Sequence, residues 1–141
     1  MAKAAGLLLS DEELPFTMQH YYTGGPGNVP NYSDVYYTIG TFQMPWDGQL
    51  FATFTAVYSW TGGHQHVQAA LLGCTPGVSD YSIFNAISTK AGGTRGSIPM
   101  QAVWSSLAKN QVVTIVARCG TGNGGIVVNF ENIAGSVRAT R

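Results

Sequence analysis

The stretch Gln49-Leu-Phe-Ala-Thr-Phe-Thr-Ala-Val-Tyr-Ser-Trp60 decides the fold class. Leu50, Ala52, Phe54, Ala56, Tyr58 and Trp60 fall on one side of an extended chain, and Thr53, Thr55 and Ser59 fall on the other. Successive side chains of a strand point to opposite faces, so a period of two describes a sheet with one face buried and one open.

Working outward, Pro45-Trp-Asp-Gly48 precedes this strand and has turn chemistry, with Pro and Asp-Gly in turn-favouring positions. Residues 35–44 form another strand, with Val35, Tyr37 and Ile39 on one face and Tyr36, Thr38 and Phe42 on the other. Residues 16–22 read as a first strand and 23–30, rich in Gly and Pro, as a loop. Downstream, strands are expected over 66–72, 81–89, 98–104, 111–119 and 126–133, separated by Gly-, Pro-, Ser- and Asn-containing turns. No long helical pattern interrupts them. The expectation is an all-β fold: an eight-stranded antiparallel jelly-roll sandwich with an extended N-terminal arm. Its divisions are an arm over 1–15, a β-sandwich domain over 16–133 and a C-terminal tail over 134–141. An immunoglobulin-like sandwich is second, because Trp104 follows Cys74 too late for the usual inter-sheet bridge to Cys119. The two cysteines read as small buried hydrophobes or as one disulfide between neighbouring strands.

Seven Lys and Arg and seven Asp and Glu make up 10% of the 141 residues, against about 25% in ordinary soluble domains. Net charge is zero. Such a chain does not hold nucleic acid by neutralising phosphates, nor an anionic membrane by attraction. No run approaches the ~18 apolar residues of a membrane helix. The run Leu7-Leu8-Leu9 is too short for the ~7–15 apolar residues of a secretion signal, and a transmembrane β-barrel would be expected to carry one. A surface this neutral points to a subunit covered by neighbours. Charge collects instead at Asp11-Glu12-Glu13 and at Arg138 and Arg141. Ser10 and Glu13 match a capping box, so a short helical turn is expected there. Leu7, Leu8 and Leu9 would anchor the arm on a neighbour, with Glu12 and Glu13 meeting Arg138 and Arg141 of another subunit.

Few constellations carry chemistry. His64 and His66 share one side of a strand and, with His20, would be weak candidates for a metal; polar residues at the edge of a Gly-Gly turn explain them more simply. Asp34, Asp47 and Asp80 stand near turns, where Asp bonds the backbone. Gly120 to Gly125 lacks the Gly-Lys-Ser/Thr ending of a phosphate loop. No catalytic residue and no cofactor are assigned, and a non-enzymatic role is expected. Trp60 and Trp104 align with apolar faces. Trp46, in a turn, reads as intrachain packing, as a subunit anchor or, with Tyr21 and Tyr22, as a sugar-stacking platform.

Two segments, Thr41-Phe-Gln-Met-Pro-Trp-Asp-Gly-Gln-Leu50 and Ile98-Pro-Met-Gln-Ala-Val-Trp104 with Leu107-Ala-Lys-Asn-Gln-Val-Val-Thr-Ile-Val-Ala-Arg118, resemble small jelly rolls of the complement and tumour-necrosis-factor type. Phages use such domains as head decoration proteins and as tail-tip or fibre heads. The resemblance implies a homotrimeric virion protein, assembled in the host cytoplasm, whose partners are the major capsid protein or other virion proteins. Because the chain has no long N-terminal shaft, capsid decoration (a minor capsid or cement role) is expected first. A receptor-binding head that recognises cell-surface glycan comes second, and a cupin-like metal protein third. The cupin Glu is missing after His66.

Overall fold

The computed structural model describes residues 16–30, 32–61, 66–73, 80–83, 85–88, 95–122 and 127–141. Nine strands run through them: β1 (Phe16–Val29), β2 (Asp34–Gln43), β3 (Gly48–Trp60), β4 (His66–Gly73), β5 (Asp80–Ile83), β6 (Asn85–Ser88), β7 (Arg95–Leu107), β8 (Val112–Thr121) and β9 (Val128–Thr140). They form two antiparallel sheets, a five-stranded one in the order β1-β9-β3-β7-β5 and a four-stranded one in the order β2-β8-β4-β6. Pairing is nested. β1 pairs with β9, β2 with β8, β3 with β7 and β4 with β6, so the chain folds back on itself from its outermost strands inward.

The expected eight strands are corrected to seven long ones and two of four residues. The stretch 81–89 divides because β5 pairs with β7 in one sheet while β6 pairs with β4 in the other. The tail expected over 134–141 is also corrected. Those residues continue β9, which lies between β1 and β3 and pairs with both. Val137 and Ala139 are fully buried there. Gly135 allows the close approach, since a Cβ would run into the Thr53 carbonyl and Phe54. The loop expected over 23–30 is largely strand as well. β1 runs to Val29 through an irregularity between Gly24 and Gly27, where Gly27 takes φ +79° and a Cβ on Gly25 would strike the Phe130 carbonyl. Pro26 is tolerated because β1 is an edge strand. The arm over 1–15 lies outside the described residues.

The alternation of β3 holds through its length: Leu50, Ala52, Phe54, Ala56, Tyr58 and Trp60 all face inward. They meet Ile98, Met100 and Trp104 of β7, Phe130, Ile133 and Val137 of β9, and Val113, Ile115, Ala117 and Cys119 of β8. Phe42 is buried with Ile39 rather than facing out with Tyr36, because a bulge between Thr38 and Gly40 shifts the register against β8. Trp104 lies fully buried against the backbone of Gly73, where a Cβ would meet its indole. Cys119 is a free, buried thiol, and Cys74 lies outside the described residues. Burial pushes the Cys119 thiol up to about 12.

Hydrogen bonds tie the sheets across their margins, among them one at 2.9 Å between the Thr23 hydroxyl of β1 and the Tyr37 hydroxyl of β2. The Tyr21 hydroxyl of β1 donates to the Thr41 carbonyl of β2 at 2.7 Å. The Thr121 hydroxyl of β8 donates to the Pro30 carbonyl.

Candidate functional site

The outer face of the five-stranded sheet is built by the residues that alternate with the core. From β3 come Phe51, Thr53, Thr55, Val57 and Ser59, and register places partners beside each one. Met18 faces Arg138 and Arg138 faces Phe51, which faces Val103. At the other end Asn28 faces Asn129, Asn129 faces Ser59, and Ser59 faces Arg95. Among the described side chains of this face, charge is confined to Arg138 near one end and to Arg95 and Glu131 near the other. Arg95 and Glu131 form an ion pair at 2.6 Å. The rest is neutral, an arrangement that costs little to desolvate against a protein partner.

Each end of the face holds a depression. At the Phe51 end, a trough of about 340 Å³ is lined by Met18, Phe51, Thr53, Gln101, Ser136 and Arg138, among others. Met18 is 47% exposed. The Arg138 guanidinium lies 5.4 Å from the centre of the Phe51 ring, within cation–π range. At the Ser59 end, a depression of about 260 Å³ is lined by Asn28, Ser59, Trp60, Thr61, Val127 and Asn129. Phe51 and Ser59 stand eight residues apart on one strand, roughly 26 Å at about 3.3 Å per residue.

Trp46 resolves to intrachain packing. It is 8% exposed, and the Arg141 guanidinium stands 4.8 Å from its ring centre. That corrects Trp46 as a surface anchor or stacking platform, since too little of the ring is open. Trp60 and Trp104 are buried as expected. Of the paired tyrosines, Tyr21 packs against the core and on Phe54 at 6.0 Å, and burial raises its phenol above the ordinary value. Tyr22 points outward and is 77% exposed. Arg138 and Arg141 both sit at the Phe51 end, while Leu7, Leu8, Leu9, Glu12, Glu13 and His64 lie outside the described residues.

His20 and His66 do not converge. His20 is exposed on β1 of one sheet, opposite Ser136, and His66 opens β4 of the other, opposite Ser88. No group of three His, Cys, Asp or Glu suited to a metal occurs among the described residues. Asp47 performs turn chemistry, its Oδ1 accepting from the Lys109 amide at 2.7 Å. Asp34 is held by Arg118, whose Nε and Nη2 donate at 3.1 and 2.5 Å; this hydrogen bonding holds the guanidinium above its ordinary range.

The row Asn28–Asn129–Ser59 and the Phe51 trough were not legible as sites in the sequence. Their members lie far apart along the chain, and only strand register joins them. The outward alternation of β3 was the one signal that pointed to Phe51 and Ser59.

No protein-family profile matches the chain, and no curated protein matches it in sequence. Among solved structures, it is similar to a chain of the tripod (BppUct-A-L) from the baseplate of bacteriophage Tuc2009. The TM-score is 0.50 at 20% identity, covering 100% of this chain and 76% of that one. Dimeric latent PorU from Porphyromonas gingivalis gives a TM-score of 0.48 at 11% identity, covering 89% of this chain and 13% of that one. The first of these likenesses establishes the fold.

Proposed function

We propose that this chain is a non-enzymatic structural subunit of a bacteriophage particle, acting as a homotrimer at the baseplate end of the tail. The observation that carries the reading is the outer face of the five-stranded sheet, neutral over most of its area and furnished with an apolar-floored trough at the end where Phe16 and Arg141 lie. Copies would associate through Met18, Phe51 and Val103. The nested strand pairing supports a jelly roll, in which the first strand pairs with the last and each following strand with the next one inward. The likeness in fold to a baseplate tripod chain supports the tail location.

Capsid decoration, with the major capsid protein as partner, is the second reading. The same neutral face suits attachment to a capsid lattice, and location in the particle separates the two. Light scattering should return three chains per particle of the purified protein. Phe51→Glu should give a folded monomer, because it places a carboxylate in the contact. Immunolabelling of purified virions should mark the tail end. A monomeric wild-type chain, or absence of the protein from purified virions, would overturn the reading; label on the head would move the protein to the capsid.

A further inference from the structure

We infer that the depression at the Ser59 end binds a single neutral sugar ring. Val29, Val128 and Trp60 are turned into the core, so their neighbours Asn28, Asn129 and Ser59 project outward in one lateral row across β1, β9 and β3. Trp60, Thr61 and Val127 complete the lining. Each carboxamide offers a donor and an acceptor side by side, and each hydroxyl serves as either. A sugar's adjacent hydroxyls have the same dual character, so the row complements a polyhydroxylated ring better than a ligand that only donates or only accepts. Val127, 48% exposed, supplies apolar surface for the C–H face of such a ring.

The lining contains no charged side chain. Arg95, the next residue in the row, is engaged by Glu131 at 2.6 Å, so a charged ligand gains little here. The volume of about 260 Å³ falls below the ~300 Å³ at which drug-sized pockets begin, which suits one ring rather than a chain of several. The inference rests on this end of the sheet alone. Its failure leaves the particle assignment untouched, because that assignment rests on the opposite end.

The test is a nuclear magnetic resonance titration of the full-length, isotope-labelled protein with the methyl glycosides of glucose, galactose, mannose and N-acetylglucosamine. At least one should produce saturable shifts, in the millimolar range, at the Asn28 and Asn129 side-chain amides. Asn129→Ala should weaken binding about tenfold, as loss of one or two hydrogen bonds predicts. Thr61→Ala, which lies outside the ladder and leaves the sheet intact, should weaken it severalfold. Phe51→Ala should leave it unchanged. No lining group titrates between about pH 5 and 8, so affinity should be constant over that range and between low and high salt. Absence of saturable shifts with all four glycosides would overturn the inference. So would binding that survives both Asn129→Ala and Thr61→Ala.

Discussion

Gly135 sits where β9 passes between β1 and β3, and a methyl group there would run into the Thr53 carbonyl and the Phe54 backbone. Gly135→Ala should therefore lower stability by roughly 2–4 kcal/mol, because backbone must move to admit the side chain. Gly24, with open space around its Cβ position, is the matched control, and Gly24→Ala should change stability by less than about 0.5 kcal/mol. Urea denaturation of the two variants makes the comparison. Cys119 provides a second measurement. Its thiol ionises near 9.0 ordinarily and near 12 in the fold, because burial penalises the thiolate. The unfolded chain thus releases this proton first as pH rises. The contribution of Cys119 to stability is intact below about pH 9 and is lost progressively as pH climbs toward 12. Native protein at pH 8 should show no alkylation of Cys119 by iodoacetamide under mass spectrometry, and denatured protein should label readily. Labelling of the native thiol at the denatured rate would contradict its burial.

Among the elements, β3 was legible throughout and β9 only as far as Ile133, for physical reasons visible in their residues. β3 alternates large apolar residues with Thr and Ser, so its period stands out from the sequence alone. The second half of β9 alternates too, through Ile133, Gly135, Val137 and Ala139, but two of these inward positions are small, and at Gly135 a Cβ would strike Phe54 and the Thr53 carbonyl. Small residues give a weak periodic signal, and 134–141 therefore reads as a tail. Ending the chain after Ile133 should abolish cooperative folding rather than trim an appendage, since it removes the ladder to β1 and to the first half of β3 together. Loss of the thermal transition by circular dichroism checks this, and a truncated chain that melts like the full one would refute it. The second half of β1 hides for a different reason. Gly24, Gly25, Pro26 and Gly27 carry every mark of a loop, yet at a sheet edge those residues build an irregular strand. The candidate site was harder still, because a lateral row such as Asn28–Asn129–Ser59 exists only once three strands are in register.

For the molecule as a whole, nested pairing means that most ladders join residues far apart in sequence, such as Thr17 with Ala139 and Gln43 with Val112. Long loops must close before those contacts form, so refolding should take milliseconds to seconds rather than microseconds. Stopped-flow fluorescence of the buried tryptophans measures it, and a microsecond phase carrying the full amplitude would contradict the topology. The scarcity of charge seen in the sequence also takes a definite shape: neutrality belongs to one continuous sheet face, and the ion pairs lie near its margin and on the opposite sheet. The register match of Phe16 with Thr140 has a mechanical consequence. The first and last strands leave the sandwich side by side, and antiparallel hydrogen bonds run across the strands. Tension that separates these two ends therefore loads the β1–β9 ladder one rung at a time, like a zipper, and yields at low force. A particle that transmits force through this subunit has to grip both ends at the same place, or carry the load across the sheet face and spare the ladder.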